Sequence, residues 1–286
     1  MNAKTALPAL VLALLLAPSA VHAGDVDTQF LFGFTQGSDV GELGEKEIES
    51  ETVGRFGKAD GSHAALTSAL RAELVPLENF RFEVGAIVNY SSISGVSGFD
   101  DRNEVRFGGF ALEGRYRLLN RRVAPVGLTI SAEPHWTRID DTSGELVANY
   151  GSEFVVVIDK ELIENRIFAA LNLRYDPEWT HLLAGDIWRQ QSTLGISAAV
   201  TAQVDEGVFF GVETHYVRGY DGTGANVFLG DALFVGPTTY LRLSKNFAVS
   251  AALSIQVAGS AVDARGSLNL RDFERLQARL RLEYNF

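Results

Sequence analysis

Beyond its first 23 residues the chain alternates apolar and polar side chains over segments of about ten residues. It nowhere carries the run of about 18 apolar residues that a membrane-spanning helix requires. The last segment shows the alternation most fully. Leu276, Ala278, Leu280, Leu282, Tyr284 and Phe286 fall on one face, and Arg275, Gln277, Arg279, Arg281, Glu283 and Asn285 on the other. Such a strand can bury its apolar face in the core of a soluble sandwich, or turn it toward lipid with the charged face inward. In lipid, only a closed barrel leaves no strand edge with unpaired backbone groups.

The first 23 residues favour lipid. Lys4 gives a short positive start, Ala6 to Leu16 an apolar stretch, and Val21-His22-Ala23 small residues at the positions a signal peptidase reads. Eleven apolar residues are too few to span a bilayer, so residues 1–23 are expected to be a cleaved export signal and 24–286 a barrel. A formal charge of −11 argues against a nucleic-acid partner. The absence of cysteine removes disulfides, thiolate metal sites and a cysteine nucleophile. No cofactor is expected.

Strands are expected at 29–36, 63–74, 80–92, 107–118, 126–138, 150–158, 167–175, 188–202, 208–216, 232–243, 247–257 and 273–286, about twelve in all. Short connections (76–79, 119–123, 163–165, 205–207, 244–246) alternate with long ones (37–62, 93–103, 139–149, 176–187, 217–231, 258–271). That pattern matches periplasmic turns and extracellular loops, and an even strand number leaves both termini in the periplasm. Near Gly108-Gly109 the faces exchange, which predicts a β-bulge. The fold class is therefore an all-β, closed antiparallel transmembrane barrel.

The chain ends on Phe286, with Tyr284 and Leu282 at the preceding alternate positions. This ending resembles the C-terminal assembly signal of Gram-negative outer-membrane barrel proteins. The resemblance is to the class, over the whole mature chain, and implies a place in the bacterial outer membrane. It also implies outer-membrane lipid, lipopolysaccharide and the barrel-assembly machinery as partners.

With apolar faces toward lipid, the candidate lumen residues are Glu113, Arg115, Arg117, Glu133, His135, Glu213, His215, Arg242, Arg275, Arg279 and Arg281. Arginine suits fixed bidentate pairs with carboxylates, so these groups form either a salt-bridge lattice or a selective charged ring. A row of Arg275, Arg279 and Arg281 beside Arg242 would favour anions. Twelve strands about 4.8 Å apart and tilted near 40° give a backbone diameter of roughly 24 Å, enough for a narrow water path. A passive channel for small solutes, with an anion preference if that row lines an open path, is the expected function. A surface hydrolase and a closed structural or receptor barrel are the alternatives.

Two segments repeat the pattern Glu-x-His-aromatic-x-Arg: Glu133 to Arg138 and Glu213 to Arg218. Recurring barrel pattern, with an aromatic anchor outside and polar groups inside, accounts for it. One metal ion shared by His135 and His215 is not expected, because strands four apart in a round barrel leave a gap near 10 Å between their side chains. Outer-membrane phospholipases resemble the chain in size but carry Ser two residues after the catalytic His, where Thr137, Val217 and Ala65 stand. Omptin-type proteases pair acid-x-His with an Asp pair, so Asp100/Asp101 or Asp140/Asp141 would have to face Glu133/His135 or Glu213/His215. Those proteases carry Asp, not Glu, before the His. The first long loop holds Asp39, Glu42, Glu45, Glu47, Glu49, Glu51 and Asp60 against Lys46, Arg55 and Lys58. It is expected to be solvated, with divalent-ion bridging to lipopolysaccharide as the alternative.

Overall fold

The computed structural model describes residues 26–262 and 266–286; the export signal expected over 1–23 lies outside them. Twelve strands follow one another: β1 (Lys46–Phe56), β2 (Ser62–Leu77), β3 (Phe80–Ser94), β4 (Arg102–Leu119), β5 (Gly127–Ile139), β6 (Leu146–Ile163), β7 (Ile167–Leu182), β8 (Ile187–Asp205), β9 (Val208–Asp221), β10 (Val227–Arg242), β11 (Phe247–Ala261) and β12 (Leu276–Asn285). Each pairs antiparallel with its neighbours, and β1 pairs with β12 to close the barrel. Leu70, Val84, Phe110, Ile130, Phe154, Val200, Phe210, Leu253 and Leu280 are exposed on its outer surface. A continuous apolar belt of this kind, on a sheet with no open edge, is what a bilayer requires. The chain is a transmembrane barrel of the outer-membrane type.

The expected count of twelve holds, but one member changes. Residues 29–36 form no strand; the first strand is β1, inside the stretch expected to be a loop at 37–62. Phe30-Leu31-Phe32 puts apolar side chains at consecutive positions, which a strand between lipid and water cannot satisfy on both faces. In β1, Glu47, Glu49 and Glu51 alternate with Ile48, Ser50 and Thr52, and only the glutamates are turned to the interior and buried as a set. The outward face of β1 is too polar to announce a membrane strand.

The long connections are also tighter than expected, because strands run past the lipid. β7 continues to Leu182 and β8 begins at Ile187, leaving residues 183–186 as the loop. At the expected bulge, Ile87 pairs with Gly109 and Val88 with Phe107, so Gly108 is the extra residue. Gly109 adopts φ 149°, and a Cβ there would lie 2.0 Å from the carbonyl oxygen of Trp136. Glycine is required for that approach.

Candidate functional site

The short connections mark the periplasmic end, where β1 begins and β12 ends, with the N–H of Phe286 donating to the Lys46 carbonyl at 3.0 Å. From that end residues 26–45 enter the lumen before the chain turns out into β1. Thr28, Leu31, Phe32, Thr35, Ser38 and Val40 are fully or almost fully buried. The segment closes on itself through Gly37 N–H to Gln29 C=O at 3.2 Å, forming a compact loop within the barrel.

One wall of the lumen, built from β12 and β1 to β4, is a lattice of arginine and glutamate. Arg281 meets Glu49 at 3.2 Å and Glu51 at 2.5 Å, and Arg279 pairs with the same Glu51. Arg71 bridges Glu49 at 3.1 Å, Glu133 at 3.6 Å and Glu51 at 3.8 Å. Arg81 joins Glu73 at 3.0 Å and also pairs with Glu83. The register explains these bonds, since Glu51 stands directly opposite Arg281 and Glu49 directly opposite Arg71. Arg71 also crosses Gly85, where a Cβ would lie 3.0 Å from its Cγ.

The opposite wall, from β7 to β11, is apolar at the same depth. Phe168, Ala170, Ala199, Phe209, Tyr240 and Ala248 form one buried cluster with Val26, Leu31 and Phe32 of the inserted segment. Burying Leu31 and Phe32 contributes about 1.5–3 kcal/mol each.

Polar groups on the wall then take up the main chain of the segment. The Glu213 carboxylate accepts the N–H of Phe34 at 3.0 Å and of Thr35 at 3.1 Å. Asn172 accepts from Gln36 N–H at 2.7 Å and donates to its carbonyl at 2.9 Å. Asp159 accepts from the Ser38 N–H at 2.9 Å and hydroxyl at 2.6 Å. Arg115 donates to the Gln36 side chain and the Gly37 carbonyl, both at 2.8 Å, and Arg279 to the Gly33 carbonyl at 3.1 Å. Gly33 is needed here, because a Cβ would lie 2.2 Å from Glu213 Oε1 and 2.4 Å from the Ala252 Cβ.

Asp39 sits beside Arg121 of the short turn after β4. Burial opposes its ionisation, but the Arg121 guanidinium prevails and holds the carboxyl below its usual range. Asp27 goes the other way: burial, then the neighbouring Asp39, push it up to about 7.

Above the segment, toward the extracellular end, the lumen is polar. His215 stacks on Phe234 at 4.9 Å, touches Phe34 at 4.8 Å and shares a hydrogen bond with Gln277 at 2.7 Å. His135 lies 3.5 Å from Glu178, and Arg174 3.2 Å from Glu153. Ahead of β12, Asn269 and Glu274 are buried inward, and their carbonyls accept from the Gln256 amide.

The structure therefore brings Glu113, Arg115, Glu133, Arg279 and Arg281 to the charged wall, with Arg117 below them on Asn79 at 3.0 Å. It separates Arg242, exposed at the periplasmic end of β10, from Arg275, exposed beside the extracellular start of β12. The four arginines do not form one row. Leu282, Tyr284 and Phe286 face outward, with the last two rings 5.1 Å apart. The two Asp pairs lie at loop tips: Asp140 accepts the N–H groups of Thr142 and Ser143, Asp141 pairs with Arg55 at 2.7 Å, Asp100 with Arg102 at 3.1 Å, and Asp101 accepts Gly95 N–H.

Sequence reasoning missed Glu47, Glu49 and Glu51, the inserted 26–40, and Asp176 and Glu178, which the extension of β7 brings inward. The alternating glutamates of β1 were the available signal.

The model of a family described as a family of unknown function, DUF6662, matches residues 25–286, and the chain belongs to that family. No curated protein matches it. Among solved structures it is similar to the COG4313 outer membrane channel of Pseudomonas putida F1, with 15% identity and a TM-score of 0.63 over 87% of this chain and 98% of that one. It is also similar to the β domain of the Bordetella autotransporter BrkA, with 12% identity and a TM-score of 0.51 over 85% of this chain and 100% of that one. At these identities the likeness is one of fold.

Proposed function

We propose that the protein is an outer-membrane channel for small solutes, closed in this conformation by its own residues 26–40 and opened when they leave the lumen. The bonding of the segment carries this reading. Glu213, Asn172, Asp159, Arg115 and Arg279 grip its main chain, so each can exchange that partner for water when the segment withdraws. The fold is shared with a protein that is an outer membrane channel in Pseudomonas putida, in keeping with this reading.

The anion preference expected from Arg279 and Arg281 loses its support, because Glu49 and Glu51 neutralise both. On the stretch of wall around Glu178, the carboxylates Glu153, Asp176 and Glu178 outnumber Arg174 and His135, and this patch favours neutral or cationic solutes. Leu282, Tyr284 and Phe286 are proposed as the contact for the barrel-assembly machinery, and the outer belt as the surface for lipid and lipopolysaccharide.

Planar-bilayer conductance of the refolded chain tests the proposal against a variant lacking 26–40. Small or intermittent currents are expected from the full chain and larger, steady ones from the deletion. A correctly folded deletion variant without conductance would establish a closed structural barrel instead.

A further inference from the structure

Outside the segment and its seat, one cluster in the lumen has no role in either the lattice or the plug. His135 projects inward from β5, and Asp176 and Glu178 project inward from β7, two residues apart on the same face. One potential ligand atom from each lies within 4.8 Å of the other two, and His135 Nε2 is already 3.5 Å from Glu178 Oε1. We propose that His135, Asp176 and Glu178 form a binding site for a divalent transition-metal ion of the zinc type.

Three features make this a built site. The first is the strand between the ligands. His135 and Glu178 both stand opposite Gly151 of β6, one on each side. A Cβ on that residue would lie 2.4 Å from His135 Nε2 and 3.1 Å from Glu178 Cγ, so only glycine lets the imidazole lie across β6 to meet the carboxylate. The second is orientation. His135 Nδ1 lies 3.3 Å from the Glu133 carbonyl, an acceptor for its N–H, and Nε2 faces the cluster. Glu178 is held from behind by Asn149, whose amide donates to Oε1 at 2.6 Å, and Asn149 is itself held by Thr180 at 2.9 Å. The third is unmet demand. Asp176 Oδ1 is inaccessible to solvent and makes no hydrogen bond among the described residues.

The donor set selects the ion. One imidazole nitrogen and two carboxylate oxygens suit zinc, whereas calcium and magnesium prefer oxygen alone. A tetrahedral zinc site places its ligand atoms about 3.4 Å apart, so the His135–Glu178 pair is already at the right separation. The third atom closes by a small movement of the Asp176 side chain. The Glu178 side chain is 32% exposed, leaving the cluster open to the upper lumen for entry of the ion and a water ligand.

Isothermal titration of the refolded, chelator-treated full chain in detergent, with Zn2+ as the only addition, tests the site. One Zn2+ per chain is expected, with affinity at least ~10-fold weaker in His135→Ala and Asp176→Asn. Gly151→Ala should cause a similar loss although all three ligands remain, because the new methyl displaces the imidazole. His181→Ala should bind as the parent does, since His181 lies on the other face of β7 from Asp176 and Glu178 and is committed to Asp186 and Trp188. Heat-modifiable migration reports whether each variant has folded, and the near-isosteric Glu178→Gln replaces any that has not. Absence of stoichiometric binding, or binding that survives in the His135, Asp176 and Gly151 variants, would overturn the assignment.

Discussion

The charged wall and the apolar wall of the lumen lie at the same depth and touch the same inserted segment, yet their principal partners differ. On β12 and β1 to β4 the strongest contacts run from strand to strand: Arg281 to Glu49 and Glu51, Arg71 to Glu49, Arg81 to Glu73. On β7 to β11 the buried aromatic rings pack on Leu31 and Phe32 of the segment. One wall holds the barrel closed across its first and last strands, and the other holds the plug in the barrel. Damage to the first should therefore appear as loss of barrel stability, and damage to the second as loss of closure.

The largest effect is expected at the charged wall. Glu51→Ala leaves Arg279 and Arg281 without their shared acceptor and should destabilise the barrel by about 3–5 kcal/mol, read from urea unfolding of the refolded protein. An unchanged midpoint would show that the lattice adds nothing to barrel stability.

Two adjacent residues of β11 face opposite sides of the barrel wall. Leu253 faces lipid while Ala252 packs against Gly33 of the segment. Leu253→Arg should cost about 2–4 kcal/mol of barrel stability near the bilayer midplane. Ala252→Arg should leave the barrel folded but expel the segment, raising conductance and exposing residues 26–40 to added protease.

A smaller effect belongs to the seat itself. Phe32→Ala should remove about 3 kcal/mol from seating and increase the open fraction, without shifting the urea midpoint of the barrel. A shift in the midpoint with no change in protease sensitivity would mean that the segment is part of the core.

The smallest effect is a dependence on pH. Asp27, raised to about 7 by burial and by Asp39, also faces Glu45, Arg121 and the N–H of Gln29. The seated state thus favours protonated Asp27, and its advantage is lost as pH rises from about 4 through 7. Protease sensitivity of residues 26–40 should increase from pH 5 to pH 8, and Asp27→Asn should flatten that change.

Much of the architecture was legible in local pattern. In β12 each lipid-facing residue from Leu276 to Tyr284 is separated from the next by a polar one, and the bulge at Gly108 announced itself by a change of face. β1 was illegible for a physical reason: its outward face carries Ser50, Thr52 and Gly54, too polar to resemble a lipid-facing strand. The segment around Phe30-Leu31-Phe32 misled in the opposite sense, because apolar residues near an exported N-terminus look like a strand until a lumen is available to bury them. Among the candidate site residues, Arg279 and Arg281 alternate with the apolar positions of β12 in the sequence, but no sequence pattern placed Glu49 and Glu51 against them.

Period-two alternation, the lack of any long apolar run, the export signal expected over 1–23 and the ending on Phe286 together pointed to a closed barrel, since backbone in lipid has no other way to satisfy its hydrogen bonds beyond a spanning helix. Only the tertiary structure decided what fills that barrel. Whether Glu51 neutralises an arginine, whether Glu213 holds a main chain, and whether His135 reaches Glu178 across Gly151 depend on strand register and on a segment folding back through the lumen. Those contacts join residues up to 230 positions apart, and local side-chain periodicity carries no information at that range.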